Sequence, residues 1–199
     1  GLPLPVESGK WQPLAEHLRN VADSAARLAA PFGAAQEARA AGLLHDLGKY
    51  GARFQARLRD PRITGINHWA AGAVQAFQSG WRVAAFPVDG HHTGLPPARG
   101  PGGMEQTLRK FLDEGERSKL TGCTEGLAEL LSRLAADGID APPPVAPARG
   151  DYFAQALRAR FLLSALADAD FLDTEAHFDT SKATSRASIA LQERRTAIH

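Results

Sequence analysis

The chain has a single cysteine, Cys123, in 199 residues. That excludes a disulfide framework and a structural zinc site built on thiolates. Long apolar runs are missing as well: none approaches the ~20 residues that a membrane span needs. The first residues, GLPLPVESGKW, hold no basic segment followed by an apolar one, so no secretory signal is visible and a cytoplasmic location is expected. Charge of one sign is not in excess. The 23 Lys and Arg against 22 Asp and Glu give no global nucleic-acid footprint, and any such binding has to come from a local patch. No G-x-x-x-x-G-K-[ST] loop for a nucleoside triphosphate is present, and no Ser-His-Asp or Cys-His set is apparent. Strand-like alternation is also lacking, which predicts an all-α fold. The length and ordinary apolar content suit one globular domain with a real core.

What is present is a series of helical segments. Residues 11–30 form an amphipathic pattern with Leu14, Leu18, Val21, Ala25 and Leu28 on one face, ended by Pro31 and Gly33. An Ala-rich helix is predicted over 34–47, closed by Gly48. A short amphipathic piece at 54–58, a turn at 61–65 and a small-residue helix at 67–77 follow. Residues 81–89 are apolar without a clear period and fit either a short helix or an extended piece. The Pro- and Gly-rich stretch 94–103 is a loop. Helices are predicted at about 104–114 and 124–137. The four prolines of 137–151 make a linker or a wrapped extended segment. A long helix starts near Asp151, a suitable cap, and reaches about Thr174. A polar helix is expected at 182–195.

The histidines are unevenly placed: five of seven fall between positions 17 and 92. His45 and Asp46 sit in LLHDLGK, beside Leu43, Leu44 and Leu47, where an imidazole and a carboxylate are costly unless something binds them. A buried His-Asp hydrogen bond is the plain alternative. His17 lies on the flank of the first apolar stripe, where a lone histidine is readily a satisfied core-edge residue. His68 precedes Trp69-Ala-Ala-Gly-Ala, a run that permits close packing. His91 and His92 stand between Gly90 and Gly94, which packing does not explain, although an exposed loop pair would. In the last long helix, counting ~100° per residue places Asp170 among Ala159, Leu163, Leu166 and Thr174, whereas Asp168 falls between Leu157 and Phe161, with Arg160 and Glu175 nearby for a salt bridge. Asp170 is therefore the acid on the apolar arc. Histidines and carboxylates without thiolates suit Mn, Fe, Co, Ni or Zn better than Mg, though Mg remains possible. Six or seven candidate ligands exceed one ion and suit two.

These motifs, in this order, resemble the HD superfamily of metal-dependent phosphohydrolases. More narrowly, they resemble the HD nuclease domain of CRISPR-associated type I helicase-nucleases. The pattern reads W-x-x-L-x-x-H-L at 11–18, H-D-L-G-K at 45–49 with F-Q at 54–55, N-H-W-x-x-G-A at 67–73, G-H-H-x-G-L at 90–95 and A-D-F-L-D-T at 169–174. The resemblance implies a compact helical bundle with a metal site at its centre, one HD domain over 1–199. Its core motifs lie in 11–95 and 151–176, and 96–150 would be specific to a branch. It implies that His17, His45, Asp46 and Asp170 hold one metal, that Asp46, His68, His91 and His92 hold a second, and that Lys49 faces the phosphate. The implied activity is metal-dependent endonucleolytic cleavage of single-stranded DNA in CRISPR interference. The implied partners are a helicase subunit or domain and an RNA-guided surveillance complex.

The expected chemistry is hydrolysis by metal-activated water, with Asp46 and Lys49 as catalytic residues. Arg53, Arg57, Arg59 and Arg62 are candidates for phosphate contacts, and Phe54 and Trp69 for bases; an ordinary solvated helix face is the alternative for the arginines. Two other functions compete. One is an HD phosphohydrolase acting on nucleotides or cyclic nucleotides, although no Gly-Tyr-Pro follows the His-Asp motif. The other is a non-catalytic metal-binding subunit.

Overall fold

The computed structural model describes residues 11–147, 150–179, 182 and 184–186. Pro13 leads into α1 (Leu14–Ala29), and Gly33, with φ of 68°, closes the short 3-10 turn Ala30–Phe32 that ends it. The buried face of α1 is Leu18, Val21, Ala22, Ala25 and Ala29, while Leu28 is exposed. The stripe is thus rotated from the one drawn through the large side chains. The reason is close packing: α2 (Ala35–Leu44) approaches so tightly that a Cβ on Gly42 would lie 2.5 Å from the Ala22 Cα. Only the small-residue side of α1 accepts that approach.

The helix predicted over 34–47 stops at Leu44. His45 still has helical dihedrals, but Asp46, at φ −113° and ψ 20°, leaves the helix, and a 3-10 turn, Leu47–Tyr50, follows. Gly48 forces this break. Its N–H donates to the His68 carbonyl at 2.9 Å, and a Cβ there would lie 2.4 Å from that same oxygen. The chain gives up helical continuation to bond the segment carrying His68.

The remaining helices are α3 (Ala52–Arg57), α4 (Ala70–Gln78), α5 (Arg82–Gly90), α6 (Met104–Leu112), α7 (Glu114–Thr121), α8 (Leu127–Ala136) and α9 (Tyr152–Phe178). The undecided stretch 81–89 is therefore helical, despite Pro87 inside it. Asn67 caps α4: its Oδ1 accepts from the N–H groups of Trp69 and Ala70 at 3.1 and 2.9 Å. Helix α7 was not read from the sequence, yet Asp113 caps it by accepting from the Glu116 N–H, and Gly122 ends it at φ 69°. Residues 139–147 wrap rather than dangle. Val145 N–H donates to the Ser79 carbonyl at 2.8 Å and the Trp81 indole to the Pro143 carbonyl at 3.0 Å. Asp151 caps α9, as expected, and the helix runs four residues beyond Thr174. The helix expected at 182–195 lies mostly outside the described residues; 184–186 are helical.

Helix α2 is the centre of the bundle and touches α1, α4, α5 and α9. Gly72 of α4 lies against its last residue, where a Cβ would meet the Leu44 carbonyl oxygen at 1.8 Å. The core around it is largely alanine, with Leu18, Val21, Leu44, Val74, Val88, Leu162 and Leu166 as its larger members. Backbones this close bring the ends of α2, α5 and the middle of α9 to one place. Among the described residues there is no strand, and no helix is long and apolar enough to cross a membrane.

Candidate metal centre

The break after Leu44 turns His45 and Asp46 in different directions around one buried point. Asp46, 1% exposed, is the hub. Its Oδ2 lies 3.4 Å from His17 Nε2 and 3.2 Å from His45 Nε2, and its Oδ1 lies 3.3 Å from His68 Nε2 and 3.8 Å from His91 Nε2. One carboxylate therefore faces two groups of imidazoles, one with each oxygen. Asp170, from α9, closes the first group, with its Oδ1 3.3 Å from His17 Nε2 and 3.8 Å from His45 Nε2. His92 closes the second, its Nε2 2.9 Å from that of His68. Asp168 is exposed and outside the cluster.

The rings are aimed by the groups behind them. His45 Nδ1 donates to the Gly42 carbonyl and His91 Nδ1 to the Val88 carbonyl, both at 2.8 Å. His17 Nδ1 donates to Asp173 Oδ2 at 2.7 Å. Each acceptor requires the proton on Nδ1, which leaves Nε2 directed at the centre. Asp173 is itself fixed by Gln12 and Asn20, at 2.7 and 2.8 Å. The sequence reading missed Asp173. The available signal was its i+3 spacing from Asp170, which puts both acids on one helix face.

Charge follows the same geometry. Burial opposes a charged His17, but Asp170, Asp173 and Asp46 outweigh it and raise its pKa to about 11. Burial also works against the Asp46 carboxylate, yet the charges of His45 and Lys49 hold it well below the usual range. On the other side burial dominates, lowering His68 to about 4 and His91 to about 3. The second group thus presents neutral rings, the form that binds a cation.

The donor set fits divalent metals on a direct observation. Nε2 of His17, His45 and His91 and Oδ1 of Asp46 are all buried, and none has a hydrogen-bond partner among the described residues. Four converging buried polar atoms without partners are costly, and a cation satisfies them together. Asp46, His68, His91 and His92 can each offer one ligand atom within 4.8 Å of the others, as can His17, His45 and Asp46, and His45, His91 and Asp170. Every ligand expected from the sequence is in this cluster. Lys49 is there too, its ammonium paired with Asp46 Oδ2.

The arginines are placed otherwise. Arg53 donates to the carbonyls of Gly122 and Thr64, Arg57 to that of Ile63, and Arg62 is paired bidentately with Asp60. Arg53 and Arg57 thus tie down the loop at 63–65, and Arg62 is engaged by its neighbour Asp60.

Asp173→Ala should lower metal affinity by ~10–100-fold, the usual loss when an outer partner of a ligating histidine is removed. Calorimetric titration with Mn²⁺ measures it. Unchanged affinity would show that His17 needs no such support.

Residues 14–112 match the HD domain family. Asp170 and Asp173 lie beyond the matched span. HD domains are generally metal-dependent hydrolases that bind divalent cations. A search of curated proteins finds no match to the chain.

Proposed function

We propose, from an HD domain at residues 14–112, that the protein is a metal-dependent endonuclease of single-stranded DNA acting in CRISPR interference. The observation that carries the phosphodiesterase reading is Asp46, whose two oxygens face separate histidine groups. His17, His45, Asp46 and Asp170 would hold one cation, and Asp46, His68, His91 and His92 another. Two divalent cations supply a water of lowered pKa and charge neutralisation on a phosphate, so no protein nucleophile is required. Mn, Fe, Co or Ni suits these ligands, with Mg possible.

The protein's own groups prepare this chemistry. Asp173, Gly42 and Val88 hold three rings in the orientation described above. Asp46 spaces the two groups through a single rigid carboxylate, fixed by the turn at Gly48. Lys49 is paired with Asp46; with cations held by Asp46, its ammonium would be available to a substrate phosphate oxygen and would offset charge developing there. The ordered motifs support the narrower placement, in which a helicase subunit or domain exposes single-stranded DNA and an RNA-guided surveillance complex selects it.

The test is circular single-stranded DNA incubated with the protein and Mn²⁺, Co²⁺ or Ni²⁺, without ATP. Internal nicking is expected, with blunt duplex cut far less and chelator stopping the reaction. High salt should weaken cleavage through lost phosphate contacts. An intact circle together with rapid phosphate release from a nucleoside triphosphate would replace the nuclease with a nucleotide hydrolase.

A further inference from the structure

A groove of about 570 Å³ runs from His68 over the loop before α4. Phe54, Trp69, Ile66 and Leu120 supply its apolar wall and Arg57 its cation, and no carboxylate lines it. Two aromatic rings stand against His68 itself: Phe54 at 5.2 Å and Trp69 at 5.0 Å between centroids, both near edge-to-face. Trp69 also lies 5.3 Å from His92. The groove therefore begins at the second histidine group, and one residue, His68, belongs to both. Lys49 Nζ sits 5.8 Å from the centre of the Phe54 ring, between groove and carboxylate hub.

The wall is built in advance. Arg53 and Arg57 bond the carbonyls of Thr64 and Ile63, and Asn67 N–H donates to the Thr121 carbonyl at 3.0 Å. The loop 63–67 is thus tied to α3 on one side and to the end of α7 on the other. Arg53 and Arg57 thus brace the wall. A rigid, acid-free, aromatic groove continuous with a phosphodiesterase centre is suited to a flat apolar group attached to a phosphate.

We propose that this groove binds an unpaired nucleobase of single-stranded DNA, next to the phosphate held at the histidine centre. The proposal rests on the nuclease reading above and adds the origin of its strand preference. A base in a duplex has both faces covered by its neighbours and cannot stack on Phe54 or Trp69, whereas an unpaired base can. The volume lies within the ~300–1,000 Å³ of small-ligand sites, room for a nucleoside and too little for a duplex.

The experiment separates base from backbone. A fluorescent oligothymidylate and an abasic oligonucleotide of equal length are titrated with the protein by anisotropy in EDTA, where hydrolysis cannot interfere. The expected result is at least about fivefold tighter binding of the thymidylate, the lower limit of one stacked base. Phe54→Ala and Trp69→Ala should each reduce that preference without weakening the abasic strand, and Trp69→Phe should retain most of it. Equal affinity for the two strands, or no measurable binding of either, overturns the proposal. So does displacement of the oligonucleotide by an equal concentration of thymidine monophosphate, which would assign the groove to free nucleotides. Nicking of circular DNA without a base preference refutes this subsite alone. A base preference without nicking refutes the hydrolytic reading and supports the groove.

Discussion

Asp46→Asn should leave a folded protein that no longer cuts DNA. The substitution keeps the shape of a side chain that is 1% exposed. It removes the carboxylate that both histidine groups share, and an amide is a poor ligand for either. The loss of nicking should go well past the ~10–100-fold that removal of an outer partner costs. His45→Ala should abolish cleavage too, but it also deletes a fully buried ring, so Asp46→Asn is the cleaner variant. Asp170→Asn should follow Asp46→Asn, whereas Asp168→Asn should cut at the rate of the unmodified protein. Nicking assays on circular single-stranded DNA, with circular dichroism melts to check folding, decide the matter. An Asp46→Asn protein within tenfold of the parent would remove Asp46 from the centre.

Gly72→Ala should destabilise the protein, although alanine is the better helix former by ~1 kcal/mol. Its Cβ would lie 1.8 Å from the Leu44 carbonyl oxygen and 2.8 Å from the carbonyl carbon. Both contacted atoms are backbone atoms of Leu44, the last residue of α2, and not part of a flexible side chain that can move aside. Overpacking of this kind costs about 1–3 kcal/mol, occasionally more, and here it outweighs the propensity gain. At ~2–4 °C per kcal/mol for a chain of this size, the melting temperature falls by several degrees. Thermal denaturation measures it, and a melting temperature equal to or above the parent's would show that α2 and α4 can separate at no cost. The effect should extend to metal binding, because Leu44 leads directly into His45.

The helices were legible wherever a long amphipathic period or a cap marked them, as in α1 and α9. So was the position of Asp170, rather than Asp168, beside the histidines, because α9 stays regular through that region. The turn at Asp46 was not legible. Leu43 to Leu47 reads as an apolar helix, and what breaks it is the His68 carbonyl, twenty residues away in sequence, pressing on Gly48. Helix α7 had a local signal, Asp113 followed by Glu116, that a polar, low-amphipathicity segment obscured. The arginines at 53–62 have the composition of a phosphate-binding face. Arg53 and Arg57 bond main-chain carbonyls, which carry no signature in sequence. Asp173 was hidden for the same reason: its importance comes from a contact with His17, 156 residues earlier.

That separation has a consequence for how the protein is made. His17, His45, Asp46, His68, His91 and His92 are all translated well before Asp170. Asp170 and the support of His17 by Asp173 come only after the wrapped segment 139–147 and most of α9 have emerged. Until then the nascent chain carries an incomplete histidine–carboxylate centre. A product terminated before Asp170 would keep the His-Asp motif and the whole span that matches the HD domain family, yet lack a carboxylate of its first histidine group.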